Sequence, residues 1–249
     1  MCFSACIDQM LKSLKQITTM NDVLGQALYD YHTRASPGKL WIHNKYGPKE
    51  EMPVSVYFRR PPNLPRQELI ALQKCKGKVL DIGAGAGTHV LLLQQKGMEA
   101  TALEISPKAA EVMKLRGVKS IVRKDIFKFK ENTFDTLLLL MNGIGLTGNI
   151  NRLRKFFRNV KKLLKPAGQM IFDSSDVAYL YDGKLPQTEN YYGEIMYRYE
   201  YKKQKTDWFT WLYIDKNKLT QIAKEEGWET EILYENEFDQ YLARLVLQQ

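Results

Sequence analysis

Residues 78–87 read Lys-Val-Leu-Asp-Ile-Gly-Ala-Gly-Ala-Gly. Val79, Leu80 and Ile82 make the near-continuous apolar run of a parallel strand covered on both faces. Gly83, Gly85 and Gly87 let the backbone turn tightly and approach a ligand where a Cβ atom would block it. Thr88 is placed to cap a helix over 88–96 that closes at Gly97. A strand, a glycine turn and a helix also describe a dinucleotide site, but such sites space their glycines as Gly-x-Gly-x-x-Gly, with the pyrophosphate on the helix N-terminus. Here the spacing is Gly-x-Gly-x-Gly, and Asp81 stands just before the turn. A carboxylate there repels a pyrophosphate and suits an ammonium or sulfonium group. At about 4 Å and an effective dielectric near 20, one charge pair is on the order of 4 kcal/mol, so the sign of the charge favours a cationic ligand.

Two further acids follow at strand–helix spacing. Residues 98–103 read as the second strand, ending at Glu104, and Pro107 opens the next helix where its missing N–H costs nothing. A carboxylate closing that strand can accept both ribose hydroxyls of a nucleoside. Residues 118–122 read as the third strand, followed by Asp125-Ile126-Phe127. An acid at 125 can accept a hydrogen bond from an adenine amine while the backbone of Ile126 meets the ring edge.

With these residues the chain resembles the class I S-adenosylmethionine-dependent methyltransferases. Asp-Ile-Gly-Ala-Gly-Ala-Gly at 81–87 matches the first motif of that family, Leu-Glu-Ile-Ser at 103–106 the second and Arg-Lys-Asp-Ile-Phe at 123–127 the third. Phe134-Asp135-Thr136-Leu137 is similar to the start of its fourth strand, and 163–168 to the turn before its fifth. Ala167 replaces a common glycine there, a change read as of little consequence. The resemblance spans roughly residues 68–247. It implies an α/β fold: a doubly wound, mostly parallel seven-stranded sheet in the order 3-2-1-4-5-7-6, with helices on both faces. It also implies S-adenosylmethionine as cofactor, released as S-adenosylhomocysteine, and a cofactor site at Asp81, Gly83, Ala84, Gly85, Gly87, Glu104, Ile105, Asp125, Ile126 and Asn142.

Length and composition set bounds. At 249 residues, with 44% hydrophobic and 26% charged residues, the chain has the size and balance of one globular α/β domain with an elaborated terminus. No apolar run approaches the roughly 20 residues that span a bilayer. Asp8 and Lys12 interrupt the N-terminus, which argues against a secretory signal. Cys2, Cys6 and Cys75 are odd in number, and His32, His43 and His89 are scattered, so neither a disulfide framework nor a metal site is expected, and a reducing cytoplasm is the natural compartment. Cys75 reads as a packing residue. The formal charge of +9 is densest over 151–165, but Leu153, Phe156, Phe157, Val160, Leu163 and Leu164 recur there at helical spacing. That segment is an amphipathic helix with a solvated basic face, and nucleic acid is a possible but unfavoured partner.

Residues 1–66 are expected to form an N-terminal appendage and substrate lid, with 1–19 dispensable and Met20 a functional start. Apolar Val23, Leu24, Ala27, Leu28 and Tyr31 mark a helix over 23–31. The eight Pro and Gly residues between 36 and 65 argue against regular structure, while the aromatic residues among them argue for a packed lid rather than a disordered linker. The cofactor domain occupies 67–249, with a β-hairpin insertion at about 176–214, where 194–201 and 208–214 alternate. A helix over 217–226 and strands over 228–233 and 241–247 complete it.

Methyl transfer is expected at the loop after the fourth strand, 141–148, where Asn142 either binds the methionyl part of the cofactor or orients the acceptor. The loop lacks the Asn/Asp-Pro-Pro-aromatic element of base amino-methyltransferases, and it has no cysteine for carbon methylation of cytosine. Asp173 and Asp176 have no matching acids after the fourth strand to complete a metal site. Transfer by positioning remains, which can supply roughly 7–11 kcal/mol of the barrier. His32, His43, Tyr46, Tyr191 and Tyr192 are candidates for a general base, but no catalytic residue is assigned. The Tyr-rich stretch 179–201 is suited to capping an aromatic or planar acceptor. The expectation is a small-molecule methyltransferase of unknown oligomeric state; the alternatives are an RNA or protein methyltransferase and a non-catalytic cofactor-binding protein.

Overall fold

Asp22 accepts the Gly25 N–H at 3.1 Å and so starts α1 (Val23–Thr33). The computed structural model describes residues 22–131, 133–182, 184–186 and 189–248; the expected appendage 1–19, the start at Met20 and both Cys2 and Cys6 lie outside the described residues. After α1 come β1 (Leu40–His43), β2 (Glu50–Glu51) and two 3-10 turns, Val54–Phe58 and Pro61–Asn63. Then α2 (Arg66–Lys74), β3 (Val79–Ile82), α3 (Thr88–Gln95), β4 (Ala100–Glu104), α4 (Pro107–Leu115), β5 (Ile121–Arg123) and β6 (Phe134–Leu139) alternate. A 3-10 turn over Gly143–Thr147 leads to α5 (Ile150–Val160) and β7 (Leu164–Ser175). The insertion carries β8 (Glu194–Tyr201), β9 (Gln204–Lys205) and β10 (Phe209–Leu212), followed by α6 (Lys216–Glu225), β11 (Trp228–Glu235) and β12 (Gln240–Leu247).

Seven strands form the main sheet in the order β5-β4-β3-β6-β7-β12-β11. Counted along the core from β3, this is the expected 3-2-1-4-5-7-6. β3 pairs in parallel with β4 and β6, whereas β12 runs antiparallel to both β7 and β11. Every residue of β3 and β4 is buried, which explains their unbroken apolar reading; Asp81 and Glu104 are the charged exceptions. One face packs on α5 and α6 through Phe156, Phe157, Ile222 and Trp228, the other on α2 and α3 through Leu72, Val90 and Leu93. The chain passes from β3 to β4 and β5 on one side, then to β6 on the other. This reversal opens a crevice at the carboxyl ends of β3 and β6, the usual ligand position in such sheets.

A second, antiparallel sheet in the order β10-β8-β1-β2 joins the N-terminal segment to the insertion. The expectation that 36–65 lacks regular structure is corrected at 40–43 and 50–51. Leu40 pairs with Tyr201 and Ile42 with Tyr199, so a distant strand edge makes β1 despite the breakers around it. Buried Asp30 of α1 reinforces the junction, accepting from Tyr201 Oη at 3.0 Å and pairing with Lys202. The proposed capping role of Thr88 is also corrected. Gly87, at φ +78°, is the cap residue of α3, and the Thr88 hydroxyl instead donates to Tyr57 O at 2.6 Å. Cys75 sits at the end of α2, half-buried in the core, where burial pushes its thiol up to about 12.

Ala167, read as a neutral replacement for glycine, lies at φ +58° in the left-handed region, where its Cβ crowds the following carbonyl. Ala167→Gly is therefore expected to stabilise the protein by about 0.5–1 kcal/mol, the relief of strain exceeding the extra backbone entropy of glycine. Thermal unfolding checks this through a midpoint rise of about 2 °C; a fall would contradict it.

Candidate functional site

The glycine turn is set by its neighbours. Gly85, at φ +54°, lies under the ring of Tyr57, which a Cβ at 85 would meet at 3.3 Å. Its N–H donates to Glu104 Oε2 at 2.9 Å, while Glu104 Oε1 accepts from Ile105 N at 2.8 Å and Ser106 N at 2.9 Å. Glu104 therefore ties the glycine turn to the end of β4. Burial raises its carboxyl above the ordinary range, and these three N–H groups act against that rise. The Ile105 side chain beside it is 49% exposed, whereas Ala84 and Ile126 are buried. Ser106 caps α4 and donates to Asp22, which also accepts the Lys108 N–H.

Asp81 is 2% exposed, and its Oδ2 is buried without a hydrogen-bond partner. Burial pushes its carboxyl up to about 6, with His89 opposing the rise and Glu104 and Glu68 adding to it. Asp125 follows β5 and accepts the Phe127 N–H at 2.9 Å, capping the short turn Ile126–Lys128. With the Ile126 side chain in the core, a ligand at this edge meets its backbone.

After β6, Met141 and Asn142 adopt left-handed conformations in succession, φ +61° and +56°. Each costs on the order of 1 kcal/mol for a residue with a Cβ, strain typical of functional loops. The surroundings hold Asn142 in place: its N–H donates to Asp173 Oδ1 at 2.8 Å, its carbonyl accepts from Trp211 Nε1 at 3.2 Å, and its Oδ1 remains buried without a partner. A Cβ at Gly145 would fall inside the Trp211 indole. Burial pushes Asp173 up to about 7; Asn142 N opposes this and Glu68 adds to it.

Several residues that the sequence did not single out converge here. Arg59 Nη2 meets Glu68 Oε1 at 2.5 Å, and Glu68 Oε2 meets His89 Nε2 at 2.9 Å. Burial alone would lower the His89 pKa, but the Glu68 hydrogen bond and then the Asp81 charge hold it above the ordinary range. The aromatic side chains of β8 and β10 also face the site. Tyr197 pairs with Phe209 and Ile195 with Trp211, so these residues share the sheet face that carries Tyr199. The Tyr199 hydroxyl bonds that of Tyr57, and Tyr197 donates to Tyr213 at 3.3 Å. The two-residue alternation of β8 was visible in sequence, but the direction its aromatic face points was not.

The candidate bases are engaged elsewhere. His43 pairs with Glu200 at 2.7 Å, His32 stacks on Phe58, and Tyr46 meets Tyr181. Tyr191 donates to Asp215 at 2.6 Å and Tyr192 to Asp176 at 2.7 Å. The crevice thus presents two unpartnered buried acceptors, Asp81 Oδ2 and Asn142 Oδ1, beside a glycine turn that admits close approach. These features fit a nucleoside with a cationic amino-acid end.

Comparison with known proteins shows the family. Residues 80–172 match the family model described as a methyltransferase domain. The chain is similar to a putative methyltransferase, YqeM, of Bacillus subtilis (24% identity over 104 residues, 39% of this chain and 42% of the relative). It is also similar to a demethylmenaquinone methyltransferase of Tropheryma whipplei (23% identity over 99 residues, 38% and 40%). The chain thus spans about two fifths of the length of these curated relatives. A SAM-dependent methyltransferase of Bacteroides fragilis, solved in complex with S-adenosyl-L-homocysteine, is similar over nearly its whole length, with TM-score 0.85, 40% identity and coverage of 92% of this chain and 95% of that one. The CcbJ methyltransferase of Streptomyces caelestis shares the fold at TM-score 0.59 and 14% identity, over 78% of this chain and 96% of that one.

Proposed function

The chain belongs to the S-adenosylmethionine-dependent methyltransferases, and on that premise we propose that it methylates a small-molecule acceptor held between the 142–148 loop and the aromatic face of β8 and β10. The cofactor, S-adenosylmethionine, supplies an activated methyl group on its sulfonium. The residues of this chain hold and orient it. Asp81 accepts from the ammonium of the methionyl end, Glu104 from the ribose hydroxyls, and Asp125 with the Ile126 backbone meets the adenine edge. Gly83 and Gly85 permit close approach, while Ala84, Gly87 and Ile105 shape the surrounding wall.

The observation that carries the acceptor class is the aromatic face itself. Tyr57 lies on Gly85 and Trp211 on Asn142, so Tyr197, Tyr199, Phe209 and Tyr213 surround the approach to the methyl group. These rings keep accessible surface although burial raises the Tyr57, Tyr197, Tyr199 and Tyr213 hydroxyls, as expected of side chains lining a concavity. Such a wall favours an uncharged or cationic planar acceptor over an anionic one. Two arginines of the basic helix α5, Arg154 and Arg158, are paired with Glu225 and Glu226, which reduces the positive face that an RNA substrate would meet.

Incubating the protein with methyl-labelled S-adenosylmethionine and a whole-cell extract that holds metabolites, RNA and protein tests this reading. Label is expected in a low-molecular-weight product. Label confined to RNA or protein would overturn the acceptor class, and the absence of any labelled product would favour a non-catalytic role.

A further inference from the structure

The segment 54–63 separates the crevice from a second concavity. Tyr57 lays its ring on Gly85, whereas the next residue, Phe58, lines a cavity of about 370 Å³. Tyr31 of α1, Arg59, Arg60 and Asn63 line it with Phe58, and none of the residues assigned to the cofactor does. Its volume lies within the roughly 300–1,000 Å³ of small-molecule sites and exceeds what an inorganic ion fills.

The wall is cationic and short of counter-charge. Glu68 holds Arg59 through Nη2, but Arg59 Nε has no partner. Arg60 is exposed and has no carboxylate partner among the described residues. Its carbonyl accepts the Asn63 N–H at 2.8 Å, so a 3-10 turn keeps Asn63 close to it. The Arg116 guanidinium lies 4.9 Å from the centre of the Phe58 ring. It donates to Ala86 O at 2.5 Å and to Thr88 Oγ1 at 3.1 Å, both uncharged acceptors. Burial lowers the Arg116 pKa, and no acid opposes the shift. Three guanidiniums therefore share one carboxylate, Glu68, which His89 also engages. The cavity wall itself carries no acidic residue. A guanidinium without a carboxylate presents a planar fork of donors that matches a carboxylate or a phosphate.

The same wall offers ring surface. Tyr31 and Phe58 lie 4.8 Å apart at 32°, and Tyr31 is 36% exposed, so part of its ring stays open at the mouth. A bare anion leaves that surface unused, whereas a planar organic anion uses the rings and the cations together.

We propose that this cavity is a second ligand site, separate from the cofactor crevice, that takes a planar organic anion. Arg60 and Arg59 bind its carboxylate or phosphate, and Tyr31 and Phe58 bind its ring. Such an anion is disfavoured at the acceptor wall, so the two sites select opposite charges. The proposal does not depend on which acceptor is methylated.

Ligand-observed NMR on the full chain tests it with phenyl phosphate, titrated with and without saturating S-adenosylhomocysteine, and with inorganic phosphate as the ringless comparison. Phenyl phosphate is expected to bind with a Kd on the order of 1 mM, alike in both series, and inorganic phosphate roughly 10-fold more weakly. Arg60→Gln is expected to weaken phenyl phosphate roughly 5- to 10-fold, and Tyr31→Ala by a similar factor, with S-adenosylhomocysteine affinity at the parent value in both. Displacement of phenyl phosphate by S-adenosylhomocysteine would place it in the crevice and overturn the proposal. So would the absence of phenyl phosphate binding, an unchanged affinity in Arg60→Gln, or inorganic phosphate binding as tightly. Loss of S-adenosylhomocysteine affinity in Arg60→Gln would assign that arginine to the crevice and overturn it equally.

Discussion

Glu104→Ala is expected to lose stability and cofactor affinity together. The carboxylate accepts three backbone N–H groups, from Gly85, Ile105 and Ser106, and so holds the glycine turn against β4. Leaving a buried donor without its partner costs about 1–3 kcal/mol, and water entering the vacated space recovers part of the sum. Losing the burial penalty of the charge offsets more of it, so the net cost is on the order of 3 kcal/mol. Affinity for S-adenosylhomocysteine should fall by roughly 1.5–3 kcal/mol through loss of the charge-assisted ribose hydrogen bonds. Urea unfolding and calorimetry on the same samples check both effects. Glu104→Gln separates them, because the amide keeps an acceptor for Ile105 and Ser106 but turns a donor toward Gly85. Unchanged affinity in both variants would remove Glu104 from the ribose site.

Asp81→Asn is expected to act in opposite directions on stability and binding. Buried Asp81 keeps its proton up to about pH 6, whereas the unfolded side chain releases it near its ordinary value of 3.8. Between these values the folded chain binds more protons, so the parent loses stability as pH rises through that window and remains lower above it. The near-isosteric amide removes this cost. The variant should therefore be more stable than the parent at pH 8, by on the order of 1–3 kcal/mol, and the advantage should vanish below about pH 4. Cofactor affinity should move the other way. In the parent, S-adenosylhomocysteine binds more tightly as pH rises through 6 and Asp81 ionises to meet the ammonium; in the variant, binding is weaker and lacks this step. Asp173 titrates in both proteins, whereas His89, which the Asp81 charge helps to hold up, moves with the substitution, so the difference between the two profiles reports Asp81 together with its coupling to His89. Superimposable profiles would rule out the ammonium contact.

These two residues were legible in the sequence because their surroundings are local. Buried parallel strands leave unbroken apolar runs, and an acid within or closing such a run stands out, as Asp81 and Glu104 do in β3 and β4. Strand order followed from the alternation of strands and helices together with the family resemblance. Element ends were less legible. β7 begins at Leu164, five residues before the expected start, because the turn containing Pro166 and Ala167 stays within the strand as a register shift against β6.

What the sequence hid was non-local. β1 exists because β8 offers an edge more than 150 residues away, a pairing invisible to a count of prolines and glycines. Arg59, Glu68 and His89 lie on three different elements, and each has an ordinary reading alone: a lid cation, a first-turn helix acid, a scattered histidine. Only the fold makes them a connected chain. Asp173 was weighed as a metal ligand, but its position under Asn142 shows a different task, holding a strained loop by its backbone. Trp211 gave no local signal at all, since its partner Gly145 is identified by the space that the indole occupies.

The central claim is that carboxylates at the ends of neighbouring strands hold an adenosyl amino acid through its ribose and its ammonium. A crystal structure of the complex with S-adenosylhomocysteine tests it most directly. The expected result has both ribose hydroxyls on Glu104 and the amino group on Asp81, at hydrogen-bonding distance. A nucleoside bound with its sugar away from Glu104, or with its ammonium turned from Asp81 toward solvent, would contradict it.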